Sequence, residues 1–269
     1  MSGFSAEWLT LREPYDLNSR NPTVIDAVAA ALEPLSSVRI VDLASGTGST
    51  IRALSPFLPA RQSWKLIDND LGLLARAAAT PRAKQVAATT IPLDLNRDLE
   101  AALDGPIDLV ATSALLDLVS ESWLDRLVVE IAARSMLFYA ALSYDGRTKL
   151  SPPDPLDAAI AAAVNIHQRT DKGFGPALGP AAAAFAINRF EALGYSVVHG
   201  TSDWVMGPDD FDIQAEVLDG WASAAHEVGA LSFADTTAWL TRRRGAVAAG
   251  LSSLSVGHVD FFAMPSATR

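Results

Sequence analysis

At 269 residues and 49% hydrophobic content, the chain suits one large domain, or one domain with an insertion, around a sizeable core. Its formal net charge of −10 argues against a nucleic-acid binder, a class that is more often basic. The absence of cysteine excludes disulfides, zinc–thiolate sites and a thiol nucleophile.

Residues 1–22 read as an N-terminal arm or lid, with Trp8, Leu9 and Leu11 apolar and Arg12, Glu13, Asp16 and Arg20 charged. The opening residues carry no basic region followed by an apolar run, and no stretch of about 18 apolar residues occurs. Neither a signal peptide nor a membrane span is therefore expected, and the cytoplasm is the expected compartment. Asn21-Pro22 marks a break, and Thr23 is the expected cap of a helix carrying Val24, Ala27, Val28, Ala31 and Leu32. Val38–Leu43 is an apolar strand that leads through the acid Asp42 into a small-residue turn, Ala44-Ser45-Gly46-Thr47-Gly48, and a helix from about Ser49. The glycines permit positive φ and close approach of a ligand. The helix that follows would aim its unpaired N–H groups at whatever sits on the turn.

A second strand, 63–67, ends in Asp68-Asn69-Asp70, and Leu71–Ala79 is the next helix. A third strand, Val86–Leu93, ends at Asp94, and Ile107–Thr112 is a fourth. Ser122 with Asp125 resembles a capping box ahead of a helix with Leu124, Leu127, Val128 and Ile131 on one face. Ser135–Leu142 is a fifth strand. Alternating strands and helices point to a parallel sheet covered on both sides, with ligands beyond the carboxyl ends of its strands. Those ends collect Asp42, Asp68, Asp94, Ser113 and Ser143-Tyr144-Asp145.

Past the fifth strand the pattern changes. A hard turn at Ser151–Pro155 precedes a helix with Ile160 and Val164, and the glycine-punctuated segment from Asn165 to Pro176 reads as a lid or binding loop. Pro180 opens another helix, ending near Gly194, and Ser196–Gly200 is a sixth strand. Two more helices follow, one with Phe211, Leu218, Trp221 and Ala225 on a stripe and one over Thr236–Ala249, before a closing strand at His258–Met264.

Two ligand classes use such a glycine turn. A dinucleotide site usually has Gly-x-Gly-x-x-Gly, but Ile51 stands at the third position. Asp42 would repel a pyrophosphate and attract a cationic sulfonium or amino group. Asp42-Leu43-Ala44-Ser45-Gly46-Thr47-Gly48 resembles the first motif of class I S-adenosylmethionine-dependent methyltransferases. Leu66-Ile67-Asp68-Asn69-Asp70, Ile91-Pro92-Leu93-Asp94-Leu95 and Asp108 to Asp117 resemble the next three, in order, and Phe190 to Val198 is similar to that family's late helix–Gly–aromatic–strand pattern.

The resemblance implies an α/β Rossmann-like three-layer sandwich, its mostly parallel seven-stranded sheet closed by an antiparallel last strand. The methyltransferase domain would span 23–269, with helical insertions at about 150–180 and 206–252 that form a cap with the arm. It implies S-adenosyl-L-methionine as donor and S-adenosyl-L-homocysteine as product. Asp42, Ala44, Ser45, Gly46 and Gly48 would surround the donor, with Asp68 and Asn69 at its ribose, Asp94 and Leu95 at its adenine, and Ser113 at the end of strand four.

Methyl transfer is an in-line displacement on an activated carbon, so the protein chiefly positions reactants and excludes water. A base is needed only where the acceptor must lose a proton. His167, which extends the Ile160–Val164 stripe, reads either as a structural histidine or as that base, and Tyr144 is the second catalytic candidate. Arg12, Arg20, Arg169 and Lys172 read as solvated charge or as contacts to an anionic acceptor. Tyr15 and Tyr144 read as core aromatics or as substrate contacts. Trp204 and Trp221 read as core or interface, and the Arg242–Arg244 run as a complement to a helix dipole. No metal cluster is evident. The expected activity is methylation of a small metabolite, with an anionic one among the candidates, without nucleic-acid or membrane partners, and with a homodimer left open. A nicotinamide oxidoreductase and a non-catalytic donor-binding module are the alternatives.

Overall fold

The structure, a computed structural model, describes residues 4–266; the first three residues of the expected arm and the last three of the expected domain lie outside the described residues. An eight-stranded sheet runs through its centre. The strands are β1 (Val38–Leu43), β2 (Gln62–Asp68), β3 (Val86–Pro92), β4 (Leu109–Ser113), β5 (Leu137–Ser151), β6 (Tyr195–Thr201), β7 (Trp204–Met206) and β8 (Ser253–Pro265). The path is β3-β2-β1-β4-β5-β8-β6, with β7 also pairing β8. The first five strands of that path are parallel, and β8 is antiparallel to β5, β6 and β7. The seven-stranded Rossmann-like sheet with its antiparallel last strand is therefore present. The eighth strand is an addition: three residues are too few for alternation to register in a sequence.

The helices are α1 (Ala6–Ser19), α2 (Pro22–Leu32), α3 (Ser49–Leu54), α4 (Leu71–Ala79), α5 (Leu99–Ala102), α6 (Glu121–Ala133), α7 (Asp157–His167), α8 (Ala182–Ala192), α9 (Phe211–Glu227) and α10 (Phe233–Ala248). The two-residue period of the strands divides the core. Val41, Leu43, Val110, Phe138 and Ala140 face α6 and α8, whereas Val38, Ile40, Ala111, Tyr139 and Ala141 face α2 and α3. Asp42 lies between residues of the first set and is fully buried. A third cluster joins α7, α9, α10, β7 and the first half of β8 into the cap, with Trp8 and Leu11 of α1 against it.

Several boundaries move. Asn21, not Thr23, caps α2, its side chain accepting from the Val24 amide, and Pro22 takes the first helical position, where it has no N–H to satisfy. Ser120, not Ser122, caps α6. β5 continues nine residues beyond the expected Leu142, through two register shifts, because its second half pairs with an equally extended β8. That half alternates partly buried and exposed residues and carries Asp145, Arg147 and Lys149, which conceal a strand at the protein surface. The arginine run of α10 does not answer a helix dipole: Arg242 pairs with Asp154, Arg243 with Asp157 and Arg244 with Asp219, tying the helix to the rest of the cap. Among the described residues, no helix is long and apolar enough to cross a membrane.

Candidate active site

Three adjacent strands carry a residue of positive φ that is not glycine, at neighbouring levels of the sheet. Ala44 (54°) follows β1, Ala114 (52°) follows β4, and Leu142 (54°) lies in β5. Such backbone is unfavourable for a residue with a Cβ, and its concentration at one end of one sheet points to a functional site. Two of them are held by hydrogen bonds: the Ala114 amide donates to Ala141 O at 2.9 Å, and the Leu142 amide to Asp260 Oδ1 at 2.8 Å.

The glycine turn is built from the strand-two side. The Ser45 amide donates to Ile67 O (2.8 Å), and the Gly46 amide to Asp68 Oδ2 (2.8 Å), while Asp68 Oδ1 accepts from the Asp70 amide (3.0 Å). Gly46 and Gly48 both have positive φ, 53° and 82°, which is what their lack of a Cβ permits. The helix after the turn, α3, has only six residues and no side-chain cap, so the turn presents its own backbone rather than a long helix end. Asp42 lies beneath it. Neither carboxylate oxygen has a hydrogen-bond partner among the described residues. Burial pushes its pKa up to about 7, Asp68 adding to the rise and Thr50, Arg20 and Arg52 opposing it. Asn69 is exposed at the end of β2, Asp94 accepts from the Asn96 amide (2.9 Å), and the Leu95 carbonyl accepts from the Trp123 indole (2.8 Å).

Helix α1 crosses this turn. Leu9 Cδ1 lies 3.4 Å from where a Cβ on Gly46 would stand. Glu13 pairs with Arg52, which also donates to Thr47 O at 2.7 Å, and Glu7 pairs with Arg76 of α4. On its other side α1 holds the cap: Asp16 accepts from the Trp204 indole (3.1 Å) and Tyr15 donates to Asp210. Arg20, at its end, is buried and donates to Ser113 Oγ (3.0 Å) and the Tyr139 hydroxyl (3.2 Å).

Between α1, the cap and the ends of β4 and β5 lies a cavity of about 580 Å³. Aromatic side chains, Trp8, Trp204, Trp221 and Tyr144, form much of its wall, and Ala114 and Leu142 bring it to the strained strand ends. Arg12, His167 and Lys172 also line it. Arg12 donates Nε to Asp16 (2.9 Å) and stands 5.5 Å over the Trp204 ring. His167 Nε2 is 3.0 Å from Glu227 Oε2, and Lys172 Nζ is 3.3 Å from His167 Nδ1; burial lowers the lysine pKa. Tyr144 donates to Asn165 Oδ1 at 2.8 Å, and burial raises its pKa. Thus Arg12, Tyr144, His167 and Lys172 are brought together. Tyr15, Arg20 and Arg169 are not among the residues that line the cavity; Tyr15, its pKa pushed up to about 12 by burial and by Asp210, is held at the cap, and Arg169 is exposed.

Structural comparison covers nearly the whole chain. A cyclopropane-fatty-acyl-phospholipid synthase-like protein from Lactobacillus casei superposes with a TM-score of 0.54 at 16% identity, over 97% of this chain and 94% of that one. A cyclopropane synthase from Mycobacterium tuberculosis superposes with a TM-score of 0.52 at 11% identity, over the same shares of the two chains. No protein-family model matches the chain, and no curated protein matches it by sequence. The chain has the Rossmann-like fold of the class I S-adenosylmethionine-dependent methyltransferases.

Within that fold, the cavity brings in residues to which the sequence assigned no chemistry. Trp204 and Trp221, read as core or interface, both line it. So do Asp117, on the turn after β4, and His258, midway along β8. Asp117 is 5% exposed, and its Oδ1 has no partner among the described residues. Burial raises its pKa to about 6, against the pull of its own amide, the Tyr144 amide and Arg12. His258 is 7% exposed, with Nδ1 unpartnered, and burial beside Arg12 lowers its pKa to about 3. Asp117 stood in the fourth motif, but nothing in a linear sequence links it to His258.

Proposed function

We propose that the protein is a methyltransferase that takes its methyl group from S-adenosyl-L-methionine and gives it to a small molecule held in the aromatic cavity. The observation that carries this reading is Asp42, a fully buried carboxylate without a partner beside a two-glycine turn. A buried unpaired charge is costly unless a partner arrives. The amino group or sulfonium of the donor supplies a cation, whereas the pyrophosphate of a dinucleotide would add a second negative charge.

In this reading Ala44, Ser45, Gly46 and Gly48 lie against the methionine portion of the donor. Asp68 and Asn69 lie by its ribose, Asp94 and Leu95 by its adenine, and Ser113 marks the passage towards the acceptor. When bound, the donor supplies a methyl group already activated for displacement. The chain's own residues then orient the acceptor and exclude water. Helix α1 roofs the turn, and the segments at about 150–180 and 206–252 complete the cap. His167 and Lys172 stand at the acceptor's end, the latter with Arg12 able to meet an anionic group. Cytoplasmic location, independence from nucleic acid and a monomeric or homodimeric state belong to the same reading.

Thermal unfolding tests it without knowledge of the acceptor. A ligand at one hundred times its Kd stabilises the folded state by about 2.7 kcal/mol. S-adenosylhomocysteine is expected to raise the melting temperature by several degrees, and NADH or NADPH to leave it unchanged. A rise with the nicotinamide cofactors alone would reverse the assignment.

A further inference from the structure

We propose that Asp117 takes a proton from the acceptor, and that the acceptor is a flat, largely apolar molecule that presents an O–H or N–H to it, so that a heteroatom is methylated. The inference rests on the donor reading above and specifies the substrate class of the same site.

The cavity supplies the first observation. Its volume of about 580 Å³ is that of a site for a molecule of drug size, and its tryptophans offer ring faces and edges suited to a flat guest. The second is chemical. Asp117 is more than nine-tenths buried on this wall, and its Oδ1 has no hydrogen-bond partner among the described residues. A buried acceptor left unsatisfied costs about 1–3 kcal/mol, more when charged. The guanidinium that shares the cavity does not remove the demand: Arg12 donates Nε to Asp16 and stands over Trp204, and although its charge favours the Asp117 carboxylate, it donates no hydrogen bond to Oδ1. What satisfies a carboxylate is a donor, and an apolar guest supplies one only through an O–H or N–H.

The third observation is position. Asp117 lies on the turn that leaves β4, and Ala114 of the same segment also lines the cavity. In the β1–β4 register Leu43 pairs with Thr112, so the residues just beyond, including Ala114, run alongside the glycine turn. Asp117 follows three residues later on that segment, beside the Tyr144 amide of β5, whereas His167 stands on α7, in contact with Glu227. His258 provides a second handle: its ring lies 5.2 Å from that of Trp204 and 6.2 Å from that of Tyr144, and Nδ1 is free to meet a polar group of the guest.

The step balances. The lone pair of the acceptor oxygen or nitrogen forms the bond to the methyl carbon, and the pair of the broken C–S bond stays on sulfur, turning the sulfonium into a neutral thioether. The acceptor proton passes to the Asp117 carboxylate and then to water. The other titratable groups around the cavity are Arg12 of α1, Tyr144 of β5, His167 of α7, Lys172, Glu216 of α9 and His258 of β8. Positioned proton transfer of this kind is worth roughly 10²–10⁴ in rate.

The test uses the full chain saturated with S-adenosylhomocysteine, and tryptophan fluorescence to follow binding of phenols and arylamines, their O- or N-methylated counterparts, and unsaturated fatty acids. Phenols or arylamines are expected to bind at least tenfold more tightly than their methylated counterparts, and Asp117→Asn to abolish that preference while leaving the S-adenosylhomocysteine Kd within twofold. With S-adenosylmethionine, the bound compounds are expected to be methylated at oxygen or nitrogen. Asp117→Asn is expected to lower kcat at least a hundredfold, to raise KM by about the factor of the lost binding preference, and to remove the acidic limb of the pH profile. Equal binding of parents and methylated counterparts, preference for the fatty acids, no binding of any compound, or full kcat in the variant would each overturn the proposal while donor binding stands. Failure of the wild-type chain to bind S-adenosylhomocysteine would instead overturn the donor reading.

Discussion

The Asp68 carboxylate accepts the Gly46 amide at 2.8 Å, so the acid at the end of β2 also fixes the turn at the end of β1. Its second oxygen holds the Asp70 amide, and Asp70 in turn caps α4 through the Gly72 and Leu73 amides. One carboxylate thus connects the glycine turn to the start of the next helix. Asp68→Ala removes two acceptors at about 1 kcal/mol each. The variant is expected to melt several degrees lower, since about 1 kcal/mol corresponds to roughly 2–4 °C in a chain of this size. Calorimetry should show an S-adenosylhomocysteine affinity at least tenfold weaker.

Asp42 makes the opposite prediction for stability. Its pKa of about 7 lies above the ordinary 3.8, so the folded state holds the proton more tightly than the unfolded chain. Stability is then lost as pH rises from about 4 to about 7, where the carboxylate ionises without a partner. Asp42→Asn is expected to raise the melting temperature of the free protein most at pH 8, less at pH 5 and little below pH 4, and to weaken donor binding. A variant less stable at both pH 8 and pH 5 would show that the carboxylate is structurally satisfied.

Helix α1 is expected to control the lifetime of the donor complex. The partly buried Glu13–Arg52 pair joins it to the glycine turn, because Arg52 also donates to Thr47 O. Such a pair is worth about 1 kcal/mol, or roughly a fivefold change in rate. Glu13→Gln is expected to speed S-adenosylhomocysteine dissociation by about that factor in stopped-flow fluorescence, with a melting temperature within a few degrees of the wild type.

The sheet end depends on Asp260. It accepts the Asn21 and Leu142 amides and lies close enough to the buried Arg20 that each charge steadies the other. Asp260→Ala leaves Arg20 without that compensation, and removal of one buried partner is typically worth about 3–5 kcal/mol. Thermal unfolding is expected to show a fall of roughly 10 °C.

The proposed donor half of the site was legible because a parallel sheet repeats one device. Each strand runs apolar and stops at an acid or a small polar residue, so Asp42, Asp68, Asp94 and Ser113 stand at the ends of consecutive elements. The acceptor half has no such repeat. Helix α1 contains Pro14 and a mixture of charged and apolar residues, so its sequence reads as an arm. The second half of β5 lies at the surface and looks polar, and β7 is three residues long. Asp117, Trp204 and His258 come together only because β8 inserts between β5 and β6 and carries β7 with it. That is a tertiary relation, without a signature in any one stretch of chain.

The most direct measurement is calorimetric titration of the wild-type chain with S-adenosylmethionine and S-adenosylhomocysteine, in buffers of different ionisation heat, at pH 6 and pH 7.5. The account predicts one-to-one binding that releases close to one proton at pH 6 and less at pH 7.5, as a cationic ligand returns Asp42 to its ionised form. It predicts that Asp42→Asn loses that release. Absence of binding by folded protein, or binding of NADH in its place, would contradict it.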